Sequence, residues 1–326
     1  MNKKIGRMIA FGLSCCMILS SAGCGKKETN KEENLATKTS YGQVWSAPNT
    51  VKIQQNDIDY EGKEEPVLSY QAVKNEYENA QLFVTAEKEI KHFELQTADL
   101  KSGKNVLKSE NFTVYLQHYV SFIDLYGRNI MPDALIPMDK AVEYEENKIL
   151  SDSNGALWIT AYIPKDTAPG LYEGSFKLVI DGEKGQEKLD IPVSVQVYDY
   201  TLPDKTEAKT LFTWTYDCLA VGEMDGSIEM MKTYYEFFLD YGISLQQLPI
   251  ETMSGEEYVD ALLKYWDQTT TNTLMADAGT LGSYNANNVE KFVDQVLSIA
   301  AATTEDKNLF EKTFIYHTDE PDIRVE

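Results

Sequence analysis

From about Val44 to Pro203 apolar and polar residues alternate in short runs. "QLFVTA", "FTVYLQHYV", "ALWITAYIP", "SFKLVI" and "IPVSVQVYDY" are rich in Val, Ile, Tyr, Phe and Trp, and turn formers such as "APG", "DG" and "GEKG" separate them. A period of two turns one face of each strand toward a core and the other toward water, which predicts an antiparallel β-sandwich. Within it, Asn75 and Glu76 of "KNEYENAQ" read as the residues of a turn, and Pro169 with Gly170 as the corner of "PKDTAPGLYEG".

After Pro203 the period lengthens to about three and a half. "IEMMKTYYEFFLDYG" sets Ile228, Met231, Tyr235, Phe238 and Leu239 on one helical stripe and closes on Gly242. Ser254 with Glu257 reads as a capping box for "GEEYVDALLKYWDQ". Asn288 is placed to cap "VEKFVDQVLSIAAA", whose expected buried stripe is Val289, Phe292, Val293, Val296 and Leu297. Short apolar strands, "TLFTW", "SLQQLPI", "TNTLMA" and "KTFIYH", fall before and between these helices. The order strand, helix, strand, helix, strand, helix, strand is that of an α/β fold with parallel strands. A (β/α)8 barrel needs roughly 250 residues. The part after Pro203 holds about half of that, so the expectation is a barrel present only as its first half, about strands 1 to 4, in a truncated chain.

The N-terminus has a different pattern. Lys3, Lys4 and Arg7 precede the apolar run "MIAFGLSCCMIL", then small residues lead to Cys24. The run is short for a membrane span and reads as a cleaved export signal over residues 1–23. "SSAGC" resembles a bacterial lipobox, with Ser21 where Leu is usual, and marks Cys24 as the candidate lipidated residue; a plain export signal with an incidental Cys is the alternative. Residues 24–43, rich in Lys, Glu, Asn and Thr, are expected to form a disordered tether. The sandwich is then assigned to 44–205 and the partial barrel to 206–326. Cys15 and Cys16 leave with the signal and Cys218 is left alone beside Cys24, so no intramolecular disulfide can form in a lipidated chain.

Composition narrows the partners. A formal net charge of −22 argues against nucleic-acid binding, which requires a basic surface for the phosphate backbone. Three His offer few metal ligands, and nothing in the sequence calls for a metal or an organic cofactor.

The candidate chemistry lies in "FIYHTDEPD". Reacting groups of β/α barrels stand at the C-terminal ends of strands, and Asp319 and Glu320 follow the fourth apolar strand, with Pro321 helping to end it. Adjacent residues of an extended segment diverge, so this pair does not suit the opposed carboxylates of ordinary retaining or inverting glycoside cleavage. It suits substrate assistance: one carboxylate orients the sugar's 2-acetamido group, whose oxygen attacks, and the other is acid and then base. "DEPD" is equally good turn chemistry, and the motif alone leaves both readings open. Trp214 and Tyr216 after the first barrel strand, Asp277 after the third and His317 two residues before Asp319 are the further candidates for substrate binding; simple packing explains the two aromatics as well, and a structural role explains His317.

"AVKNEYENAQLFVTA", "LWITAYIPKDTAPGLYEGSFKLVI" and "VQVYDYTLP", followed by a strand that ends in "DEP", resemble glycoside hydrolase family 123. The resemblance runs from about Val44 to the end. It implies a sandwich joined to a (β/α)8 catalytic domain, and a retaining, substrate-assisted β-N-acetylgalactosaminidase acting on glycans with a terminal 2-acetamido sugar, which the export signal would place outside the cell. By position it makes Glu320 the acid/base and Asp319 the carboxylate that stabilises the oxazolinium-like intermediate. Two alternatives stay open at this point: a non-catalytic carbohydrate-binding or surface-assembly lipoprotein, and a glycosidase of the same scaffold whose substrate lacks the acetamido group.

Overall fold

The computed structural model describes residues 35–124, 127–204, 208–212, 222–245, 248–251, 254–269, 272–273 and 286–314. Two compact units are present. Among the described residues, the first comprises the chain from 35 to Ala72, Tyr77–Tyr162 and Pro169–Gln196; the second takes Val73–Glu76, Ile163–Ala168 and the described part of the chain from Val197 on.

The alternating first half forms β1 (Thr37–Lys38), β2 (Gly42–Ala47), β3 (Leu68–Lys74), β4 (Glu76–Ala86), β5 (Ile90–Gln96), β6 (Leu100–Ser102), β7 (Asn105–Leu107), β8 (Phe112–Asp124), β9 (Gly127–Pro137), a short helix α1 (Met138–Glu143), β10 (Ser153–Ile163), β11 (Gly170–Gly182) and β12 (Glu187–Thr201). One sheet runs β1-β2-β4-β10-β8-β9, and the other β3-β12-β11-β6-β7 with β5 also on β11. The expected strands all form, within β4, β8, β10, β11 and β12. Their inward residues meet across the two sheets: Phe112 of β8 packs edge-on to Phe176 of β11 at 5.0 Å, and the Tyr70 hydroxyl on β3 donates to the Ile159 carbonyl of β10 at 3.3 Å. This is the expected sandwich.

Ordered structure starts before Val44. β1 and the fully buried Tyr41 lie inside the span read as tether, because Thr39 Oγ1 accepts from Gly42 N–H at 3.1 Å and closes a turn that polar composition conceals. Nor do Pro169 and Gly170 make the corner after β10. The turn is Pro164–Thr167, closed by Thr167 N–H on the Pro164 carbonyl at 3.1 Å, while Gly170 opens β11 where a side chain would strike Ser102. Pro132 and Pro137, which mask β9 in the sequence, are tolerated because β9 is an edge strand; a register shift falls beside Pro132's partner Tyr119.

The outer face of the first sheet is covered as well, but only around Trp45. Trp45 of β2 is 0% exposed, stacked on Phe83 at 4.4 Å and on Tyr60 at 5.6 Å, with Ile53 and Ala156 completing the cluster. The segment between β2 and β3 therefore acts as a third layer. Its Lys63 is buried over the Trp45 ring and donates to the Ile58 carbonyl at 2.6 Å; burial holds the amine below its ordinary value.

β3 and β4 follow one another directly yet belong to different sheets. Asn75 makes the turn in a left-handed conformation, φ 62°, which Asn adopts more readily than other non-glycine residues. Its amide donates to the Leu202 carbonyl at 3.0 Å and to Asp204 at 3.2 Å, and Glu76 accepts from Val73 N–H at 2.7 Å. The turn role read for both residues is observed.

In the second unit helices α2 (Ile228–Asp240), α3 (Gly255–Tyr265) and α4 (Ala286–Ala302) alternate with extended pieces, among them β13 (Asn272–Thr273) and β14 (Thr313–Phe314). Ser227 caps α2 by accepting from Met230 N–H at 3.2 Å. Gly242, φ 70°, ends it as expected: Gly242 N–H donates to Leu239 and Ile243 N–H to Phe238, the paired bonds of a Schellman stop. Ser254 caps α3 through Glu257 N–H at 3.3 Å, and the Glu257 carboxylate also takes Glu251 N–H at 2.6 Å. Met231, Tyr235 and Leu239 of α2 are buried, and Tyr235 and Leu239 join Tyr258, Leu262 and Ile299 in one core.

Two expectations for α4 are corrected. Asn288 lies within the helix, which begins at Ala286. The buried side runs through Phe292, Val296 and Ile299, whereas Val289, Val293 and Leu297 are exposed. The apolar arc of this helix is wider than any one contact, and the contact made is with α3: Gly255 N–H donates to Asp294 at 2.6 Å, and a side chain at Gly255 would strike Ser298. No closed barrel is seen among the described residues, nor is any described helix long and apolar enough to cross a membrane.

Candidate active site

Parallel strands bring their C-terminal ends to one edge, which is why α/β folds gather chemistry there. Two parallel pairings are present in the second unit. Phe212 bridges Leu245, with Phe212 N–H donating to the Ser244 carbonyl at 2.9 Å. β13 lies parallel to β14 in the register Asn272 to Thr313 and Thr273 to Phe314. Each pairing spans one helix of the sequence, α2 between the first two segments and α4 between β13 and β14. These are the β-α-β steps that the alternation of periods predicts.

β14 is held from both sides. A one-turn helix over Leu309–Lys312 leads into it, capped by Asn308 accepting from Phe310 N–H at 3.1 Å, with Leu309 fully buried. The Lys312 ammonium donates to the carbonyls of Trp266 and of Thr269, the latter at 2.7 Å, and sits 4.8 Å from the centre of the Trp266 ring. This tie to the end of α3 sets where β14 begins. A Lys before an apolar strand is too common a pattern to have signalled it in the sequence.

The candidate residues follow these segments in sequence. Trp214 and Tyr216 come after Phe212, Asp277 after β13, and His317, Asp319 and Glu320 after β14. All six lie outside the described residues, as do Cys24 and Cys218. The described polar cluster of this unit is on helices instead. Glu236 of α2 accepts from Lys264 at 3.2 Å and from the Tyr265 hydroxyl at 3.0 Å, and these bonds, Lys264's first, hold its carboxyl below the usual range. With both charged side chains about half exposed, the cluster ties α2 to α3 and has no strand-end position.

An antiparallel sandwich followed by parallel β-α steps defines a two-part chain, with a β-domain ahead of an α/β unit. Residues 49–180, which hold most of the sandwich, match the family model of the glycoside hydrolase 123 N-terminal domain. A family 123 glycoside hydrolase from Clostridium perfringens has a similar structure, with a TM-score of 0.60 at 12% identity, covering 83% of this chain and 57% of that one. The likeness extends past the sandwich, and this chain spans little more than half the length of that enzyme. The CooA pilin subunit from enterotoxigenic Escherichia coli matches at a TM-score of 0.25 and 11% identity over 46% of this chain and 97% of its own, too weakly to bear on the fold. The sequence has no match among curated proteins.

Proposed function

We propose that this chain carries the N-terminal sandwich and first β-α steps of a glycoside hydrolase, a retaining and substrate-assisted β-N-acetylhexosaminidase with galactosamine-type preference. One observation supports this above others: the domain that matches family 123 precedes an α/β unit in which "DEP" comes five residues after β14, a member of a parallel pair. In this reading Asp319 steadies the acetamido group while its oxygen attacks the anomeric carbon, and Glu320 protonates the departing oxygen and then activates water. Trp214, Tyr216, Asp277 and His317 are the proposed substrate contacts. The exposed apolar stripes Phe237 of α2 with Tyr241 just after it, and Val289, Val293 and Leu297 on α4, support a portion of a (β/α)8 barrel, since further helices of a ring would cover such faces.

The test is hydrolysis by the full-length protein of two aryl β-galactosides, one with a 2-acetamido group and one with a 2-hydroxyl. Activity confined to the first is expected. Equal activity on both would remove substrate assistance, and none on either would leave the sandwich as the working part.

The same reading places the protein outside the cell, anchored to the outer face of a bacterial membrane through Cys24 after removal of residues 1–23, with the tether shortened to end before β1. In its host it should partition into detergent, and Cys24→Ala should partition into the aqueous phase. An unchanged distribution of the variant would refute the anchor.

A further inference from the structure

We infer that the sandwich carries a second, non-catalytic glycan-binding face, on the outer side of the sheet that holds β4, β10 and β8 and next to the groove beside β4. A solvated sheet face is ordinarily charged and aliphatic-poor, but this one presents aromatic rings around a fixed amide. Tyr77 of β4 is 66% exposed and leans on Tyr162 of β10, with ring centres 4.7 Å apart. Half-buried Trp158 of β10 is registered opposite Tyr115 of β8 on the same side, and Thr160 opposite the exposed Thr113.

Asn79 lies among them. Its Oδ1 accepts from Trp158 Nε1 at 3.0 Å and from Thr160 Oγ1 at 2.7 Å. An indole N–H can only donate, so the amide orientation is settled. Nδ2 then has no partner among the described residues, leaving a donor whose rotamer is already locked. Asn79 also lines a groove of about 860 Å³ whose wall includes Asn49, Glu64, Glu65 and Glu78, a row of acceptors.

This combination fits a neutral hexopyranose oligosaccharide. The C–H faces of a pyranose pack on the negative faces of aromatic rings, and its hydroxyls both donate to carboxylates and accept from an amide. Fixing the amide in advance lowers the ordering cost of binding. The wall of carboxylates, on a chain of net charge −22, repels anionic glycans. The face is built entirely within the first unit and takes none of the residues assigned to hydrolysis, so it stands apart from the proposed catalytic function.

The test titrates the full-length protein with a neutral galactose and N-acetylglucosamine tetrasaccharide and with its sialylated form, by calorimetry and ligand-observed NMR, with a thiazoline inhibitor saturating any hydrolytic site. Saturable binding of the neutral probe alone is expected. Asn79→Asp keeps the acceptor for Trp158 and Thr160 but removes the donor, and Tyr77→Ala removes the most exposed ring; each should weaken binding at least about tenfold, the scale of one good polar contact. Should Asn79→Asp fail to fold, Tyr77→Ala decides alone. No saturable binding, equal binding of the sialylated probe, or binding unchanged in the folded variants would overturn the proposal, whatever the outcome for hydrolysis.

Discussion

Glu320→Gln in the full-length protein should lower turnover of a natural-type 2-acetamido glycoside by more than 100-fold, taking general acid catalysis at its usual ~10²–10⁴. The same variant should lose far less on an activated aryl glycoside, whose phenolate departs without protonation. Asp319→Asn should slow both kinds of substrate, because closing the oxazolinium-like ring precedes any benefit from the leaving group. A thiazoline mimic of that ring should bind wild type tightly and Asp319→Asn weakly, since a transition-state-like ligand reports the interactions that catalysis uses. Steady-state rates on the paired substrates, together with inhibitor affinity, separate the two roles. Near-normal rates in both variants would reduce "DEPD" to a turn and leave the glycan-binding account of the sandwich in possession.

Trp45→Ala should be the most damaging single change in the sandwich, at about 3–5 kcal/mol, the range for emptying a large aromatic site in a packed interior. The ring is fully buried between Phe83 and Tyr60, and its Nε1 donates to Thr85 Oγ1 at 2.8 Å, which in turn donates to Asn154 Oδ1 at 2.7 Å. Its loss opens a void under the β2 to β3 segment and uncovers the Lys63 ammonium that packs against it. Trp45→Phe keeps the stacking and loses the hydrogen bond, so it should cost less, about 1 kcal/mol for the bond together with a smaller packing deficit. Denaturant unfolding followed by far-UV circular dichroism measures both. Similar midpoints for Trp45→Ala and wild type would mean that the outer layer is not part of the cooperative fold.

Local features of this chain were legible in its sequence because each rests on a few neighbouring residues. Alternation of period two marked the strands of the sandwich, the change of period after Pro203 marked the β-α steps, and Ser254 and Gly242 marked helix ends through hydrogen bonds no more than five residues long. The turn role of Asn75 and Glu76 was equally local, and the sandwich phrases carried the resemblance to the domain family whose model residues 49–180 match. The order of a motif such as "DEP" after a strand also belongs to the sequence, while the arrangement of its carboxylates does not. Only the tertiary structure decided that β3 and β4, one residue apart, go to opposite sheets, that a loop layer covers Trp45 on a face that alternation assigns to water, and that α4 buries Val296 and Ile299 while exposing Val293 and Leu297. The physical reason is common to all three. Hydrophobic periodicity says which residues share a face, but several faces compete for cover, and the winner is set by contacts between segments distant in the chain, such as Gly255 with Asp294 or Trp158 with Asn79, which no local pattern encodes.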